Sequence, residues 1–242
     1  MLRIVLFLLV MTFGVFVQAT VGFGGPLIIM PLGLMLLPLG VVKPVTTFTA
    51  WLAGLSVLVT DYKYINWREL AKMAGLMLIG VLGGMWLTGR LPSNILLPLY
   101  GAVVVFIGVQ RLFFPTGRQT PAAVKNTALA LSGLMQGLFV SGGSFLAIYA
   151  VEQLPEKREF RATVNAVWGI LNTVMLITFW TGGGLTAEVL KVGAMAIVPT
   201  AAAIWLGGLL TRRVKQATFL KIIYIVLIVS GIVLFITNVG KP

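Results

Sequence analysis

Two glycine-centred stretches decide the reading of this chain. Gln18-Ala19-Thr20-Val21-Gly22-Phe23-Gly24-Gly25-Pro26 interrupts an apolar run, and Gln136-Gly137-Leu138-Phe139-Val140-Ser141-Gly142-Gly143-Ser144 interrupts another 118 residues later. Glycine pairs and proline are where helices break. A polar glutamine six residues before each break is costly in an apolar setting unless it finds a partner. At the same offset Lys43 falls on Arg161, Thr47 on Asn165 and Gly75 on Gly193. With five further residues inserted, Thr88 falls on Thr211, Arg90 on Arg213 and Gly108 on Gly231. The chain therefore reads as two copies of one unit, 1–113 and 122–238, joined by a cytoplasmic linker, 114–121.

The surroundings of both stretches are those of a membrane protein. Of 242 residues, 59% are hydrophobic and 10% charged, with a mean hydropathy of +1.03; soluble domains carry roughly 25% charged residues. A charge at the bilayer centre costs at least ~2.5–3.5 kcal/mol on insertion scales, so charges mark segment ends. With the two glycine breaks they predict ten helical segments, 4–21, 26–40, 44–60, 70–89, 94–113, 122–140, 144–154, 162–180, 188–209 and 217–238. Five segments per unit make the second copy enter from the opposite face, an inverted-topology repeat. The first two segments of each unit are expected to form short hairpins that re-enter the membrane and turn at the glycines. Residues 1–19 also resemble a cleavable signal peptide, but the repeat includes them, and they are expected to be retained.

Thirteen of the eighteen Lys and Arg residues fall in alternate connections, which predicts that set to be cytoplasmic and both termini external. The protein is expected in the cytoplasmic (inner) membrane as a multi-pass protein. Its partners are then the lipid bilayer and a small anionic substrate, with no nucleic acid despite the net charge of +12; a homodimer is allowed for.

The chain has no His and no Cys, which excludes Ser-His and Cys-His catalysis and metal ligation by these residues. The acids Asp61, Glu69, Glu152, Glu156, Glu159 and Glu188 all lie near expected segment ends. Neutral donors without a mid-membrane acid suit an anion. Helix starts at the breaks offer N–H groups and the positive end of the dipole. The expected substrate-binding residues are Gln18, Gly22, Gly24, Gly25, Thr46, Thr47, Gln136, Ser141, Gly142, Gly143, Ser144, Asn165 and Asn172. No catalytic residue, metal or cofactor is expected.

The duplicated Gly-Gly break, Lys43-Pro44-Val45-Thr46-Thr47 and Ile65-Asn66-Trp67-Arg68 together resemble the TauE/SafE sulfite exporter family over nearly the whole chain. The resemblance implies transport of sulfite, sulfoacetate or related organosulfonates. It places the family's glycine motifs on Gly22, Gly24 and Gly25 and on Gly142 and Gly143; Val140 stands where the first copy has Gly22. A secondary transporter working by alternating access is the expected function. An anion channel or a structural subunit of a membrane complex is the alternative, and an enzyme is not expected.

Overall fold

The computed structural model describes residues 1–21, 24–113, 121–210 and 216–239. Among these every regular element is helical: α1 (Leu2–Val21), α2 (Gly25–Leu34), α3 (Leu39–Thr60), α4 (Trp67–Thr88), α5 (Ser93–Phe113), α6 (Ala122–Phe139), α7 (Gly143–Gln153), α8 (Lys157–Thr181), α9 (Ala187–Leu210) and α10 (Gln216–Asn238), with one 3₁₀ turn at Tyr62–Tyr64. Six helices, α1, α3, α4, α5, α8 and α9, are long and apolar enough to cross a membrane. The chain is a multi-pass membrane protein.

The ten helices follow the expected order, with two differences. Each hairpin is unequal: α1 and α6 have 20 and 18 residues, whereas α2 and α7 have 10 and 11. At 1.5 Å per residue the short members span about 15 Å, half of a ~30 Å hydrocarbon core. The second difference is the start of α3. Pro38, extended at ψ 154°, is its N-cap, and the helix begins at Leu39, so Lys43 lies within it rather than in the connection. A charge failed to end the segment because Lys43 Nζ finds a partner, the Thr88 hydroxyl at 3.0 Å.

The short motif around residue 66 has a local cause. The Asn66 side chain accepts the Glu69 N–H at 3.1 Å, capping α4; Glu156 does the same for Glu159 N–H at 2.6 Å at the start of α8. These caps meet. Asn66 Nδ2 donates to Glu159 Oε1 at 2.8 Å and its N–H to Thr163 Oγ1 at 2.9 Å. Arg161 donates to Asp61 at 3.0 Å, and Tyr149 Oη to Glu69 at 2.6 Å. One polar clamp thus ties residues 61–69 to 149–163.

Helix pairing runs between the two parts of the chain. The main contacts are α4 on α6, α5 on α10, α3 on α8 and α1 on α9, with α3 also on α9 and α4 also on α8. The α4–α6 seam is built from glycine. A Cβ on Gly84 would strike the Leu134 carbonyl, and one on Gly137 the Val81 carbonyl; at Gly80 it would lie 2.5 Å from the Ala130 carbonyl and at Gly133 it would strike that of Met77. Small residues four apart let membrane helices pack backbone to backbone. α1 is part of this body: Phe7, Met11, Val15 and Val17 are buried.

Candidate functional site

The two broken hairpins converge. Gln18 and Gly24 from the first, and Gln136, Val140, Ser141 and Gly143 from the second, line one cavity together with Pro26, Leu27, Ala50, Trp168 and Asn172. Its free volume is about 20 Å³, space for about one water. No Asp or Glu lines it.

The breaks are made differently. In the first, Gly24 caps α2 at φ 93°, a left-handed conformation open to glycine without penalty. Gly22 lies outside the described residues. In the second, the left-handed residue is Val140, at φ 55°, the one non-glycine with positive φ among the described residues. A β-branched residue there is strained, and such strain gathers at functional sites. Val140 occupies the position matching Gly22, so this turn is held without the glycine.

Hydrogen bonding divides the expected residues into two groups. Gln136 is wired on both sides: its Oε1 accepts the Gly142 N–H at 3.3 Å and its Nε2 donates to Asn172 Oδ1 at 2.8 Å. That fixes the Asn172 amide, whose Nδ2 is buried with no partner among the described residues. Gln18 Oε1 is likewise buried and unpaired, and a flip of its amide exchanges acceptor for donor. Unpaired buried polar groups are uncommon, and here two amides present them at one cavity. Gly143, the first residue of α7, brings a helix-start N–H beside them, which has no intrahelical acceptor. At the first break Pro26 occupies the second turn position and supplies no N–H.

The other expected residues do different work. The Ser141 hydroxyl donates to Phe139 O at 2.8 Å and so is spent within the protein. Thr47 donates to Lys43 O and Asn165 to Arg161 O, both at 2.8 Å; these matched residues satisfy their own helices and do not line the cavity. Thr46 is buried with its hydroxyl unpaired among the described residues, also off the cavity lining, and Ser144 is buried in the first turn of α7. Gly25 and Gly142 are sites of close approach within the hairpins. A Cβ on Gly25 would lie 2.5 Å from Gly14 O, and one on Gly142 would strike Ser132 O. Sequence reasoning missed Trp168, Ala50 and Leu27 in the lining. It also missed Tyr100, which hydrogen-bonds Ser141 at 2.6 Å.

The family profile described as sulfite exporter TauE/SafE matches residues 6–234. A protein of Comamonas testosteroni named probable inner membrane transporter protein TsaS is 23% identical over 175 residues, 71% of this chain and 73% of its own. A Cupriavidus necator protein named probable sulfite/organosulfonate exporter TauE is 26% identical over 225 residues, 90% of this chain and 88% of its own. No solved structure matches the chain significantly. A match spanning almost every helix, on a multi-pass helical fold with two glycine-broken hairpins, means that the chain belongs to the sulfite exporter TauE/SafE family of membrane transporters.

Proposed function

We propose that this chain is a secondary transporter of small anions, sulfite, sulfoacetate or a related organosulfonate, working by alternating access at the cavity between the hairpins. The observation that carries the reading is a pair of buried amide atoms without partners among the described residues, Gln18 Oε1 and Asn172 Nδ2, on residues lining a cavity that no carboxylate lines. A ligand bound by neutral donors and a helix start is held without a buried full charge that would trap it. The Cupriavidus necator relative's name supports the substrate class. Family membership places the chain among transporters rather than enzymes.

Alternating access is supported by how the helices pair. When 1–113 is laid on 122–238, α1 to α5 map on α6 to α10. The pairs α4–α6 and α1–α9 then exchange, as do α3–α9 and α4–α8, while α3–α8 and α5–α10 map on themselves. This exchange supports our reading of two inverted units around a pseudo-two-fold axis, in which 114–121 would be the cytoplasmic linker and both termini would be external.

The test is counterflow of labelled sulfite in proteoliposomes. Saturable exchange against internal sulfite is the expected result; ohmic current without exchange would favour the channel. Asn172→Asp keeps the acceptor for Gln136 but replaces the free donor by a charged oxygen. It should lower exchange at least about tenfold, the worth of one hydrogen bond to a charged group. Unchanged exchange in the folded variant would place the site elsewhere.

A further inference from the structure

Lys43 is 4% exposed, on the wall of a cavity of about 590 Å³ between α3, α4 and α8. Its ammonium has one hydrogen-bond partner among the described residues, the neutral Thr88 hydroxyl at 3.0 Å, and lies 5.9 Å from the centroid of the Phe179 ring. All six carboxylates of the chain are among the described residues, and none pairs with it. A buried charge within a membrane segment without a counter-ion marks a functional site by default.

The repeat shows what is unusual here. Lys43 matches Arg161, and Phe179 matches Asp61. Arg161 also lines a cavity, with Thr60, Trp205 and Leu209, which match Thr178, Leu82 and Trp86, in that order, in the Lys43 cavity. There the cation is paired: Asp61 lies 3.0 Å from Arg161 and neutralises it. In the Lys43 cavity the matching position holds a phenyl ring, and among the described residues no carboxylate pairs with the lysine.

We propose that Lys43 is a second anion-binding site, distinct from the hairpin cavity, taking the anionic head of a small organosulfonate. The head would lie on Lys43 Nζ with the Thr88 hydroxyl beside it. The organic part would rest on Leu82, Trp86 and Phe179, apolar residues of the same wall. Among its differences from the repeat counterpart, the one that bears on charge is a ring where the other site has a carboxylate.

The test is calorimetric titration of purified protein with 1-propanesulfonate, with propylammonium as the control cation. The Asn172→Asp background removes the hairpin cavity from the measurement, and there propanesulfonate binding should persist. Adding Lys43→Gln should weaken it at least about tenfold, and Lys43→Arg should keep it within about threefold. Phe179→Glu provides a second arm with Lys43 intact. It installs the carboxylate of the other cavity, with one more methylene to suit the shorter Lys, and should abolish binding in a protein whose melting curve is normal. Unchanged binding in folded Lys43→Gln or Phe179→Glu would overturn the assignment. So would the absence of propanesulfonate binding in the Asn172→Asp background. If Asn172→Asp instead leaves total binding unchanged while Lys43→Gln removes it, the hairpin site fails and the Lys43 site stands.

Discussion

Tyr100 and Ser141 join α5 to the second hairpin's turn, their hydroxyl oxygens 2.6 Å apart in the buried interior. Because the Ser141 hydrogen goes to Phe139 O, Tyr100 is the donor in this pair. Its ring stacks on Phe139 with centroids 4.1 Å apart, so one side chain braces the turn by both its face and its hydroxyl.

This geometry predicts unequal costs for the two partners. Tyr100→Phe removes the donor and should cost about 1 kcal/mol of stability. Ser141→Ala strands the Tyr100 hydroxyl in an apolar interior and should cost about 1–3 kcal/mol. The double variant should cost less than the sum. Unfolding of the three proteins in denaturant checks the order, and additivity would show that the two groups do not interact.

The glycine seam should respond to a single methyl. Gly84→Ala and Gly137→Ala each press a Cβ onto facing backbone, which cannot rotate away, and should lose about 1–3 kcal/mol. At Gly83, one residue along, a Cβ meets nothing within 4 Å. Gly83→Ala should be neutral or gain up to about 1 kcal/mol from helix propensity. Melting temperatures of the three proteins compare them directly.

Much of the helix order was legible because charges are expensive in lipid and glycine pairs break helices, and both leave marks in a linear string. The glycine seam could also have been read: Gly80 and Gly84, and Gly133 and Gly137, are each four apart. What could not be read is which polar groups are already spent. Ser141 and Asn172 look alike as donors in a sequence, yet one donates to a carbonyl two residues away, while the other has its oxygen held by a glutamine 36 residues away and its Nδ2 without a partner among the described residues. Lys43 was misplaced for a related reason. Its position as a helix boundary assumed water or headgroups around the charge, whereas Thr88 and Phe179, distant in sequence, surround it.

Orientation can be tested without removing any native residue, since the chain has no cysteine. Tyr62, exposed beside the polar clamp, lies on the face expected to be cytoplasmic; Ala187, the first residue of α9, is expected on the opposite face. In intact cells Ala187→Cys should react with an impermeant thiol reagent and Tyr62→Cys should react only after permeabilisation. The reverse pattern would invert the topology.

The cap of α8 carries a pH dependence. Hydrogen bonds from the Glu159 and Arg158 N–H groups hold the Glu156 carboxylate below its ordinary pKa. A depressed carboxylate stabilises the fold above its unfolded pKa and loses that contribution as pH falls through the folded value. Wild type should therefore exceed Glu156→Gln in stability at neutral pH, and the two should converge below the usual carboxylate range. A gap that persists at low pH would assign the cap's value to shape rather than charge.

The pairing of helices across the two parts has a consequence for biogenesis. Asp61 is made 100 residues before its partner Arg161, and at about 5–20 residues per second the interval is on the order of ten seconds. Within that interval α4 stands in the bilayer with its glycine face against lipid until α6 is synthesised. The early helices are thus an unfinished surface whose repair arrives last, with α9 for α1 and α10 for α5. Neither part covers its main pairing faces by itself, so a chain truncated after the first part is expected to be met by membrane quality control as a misfolded one.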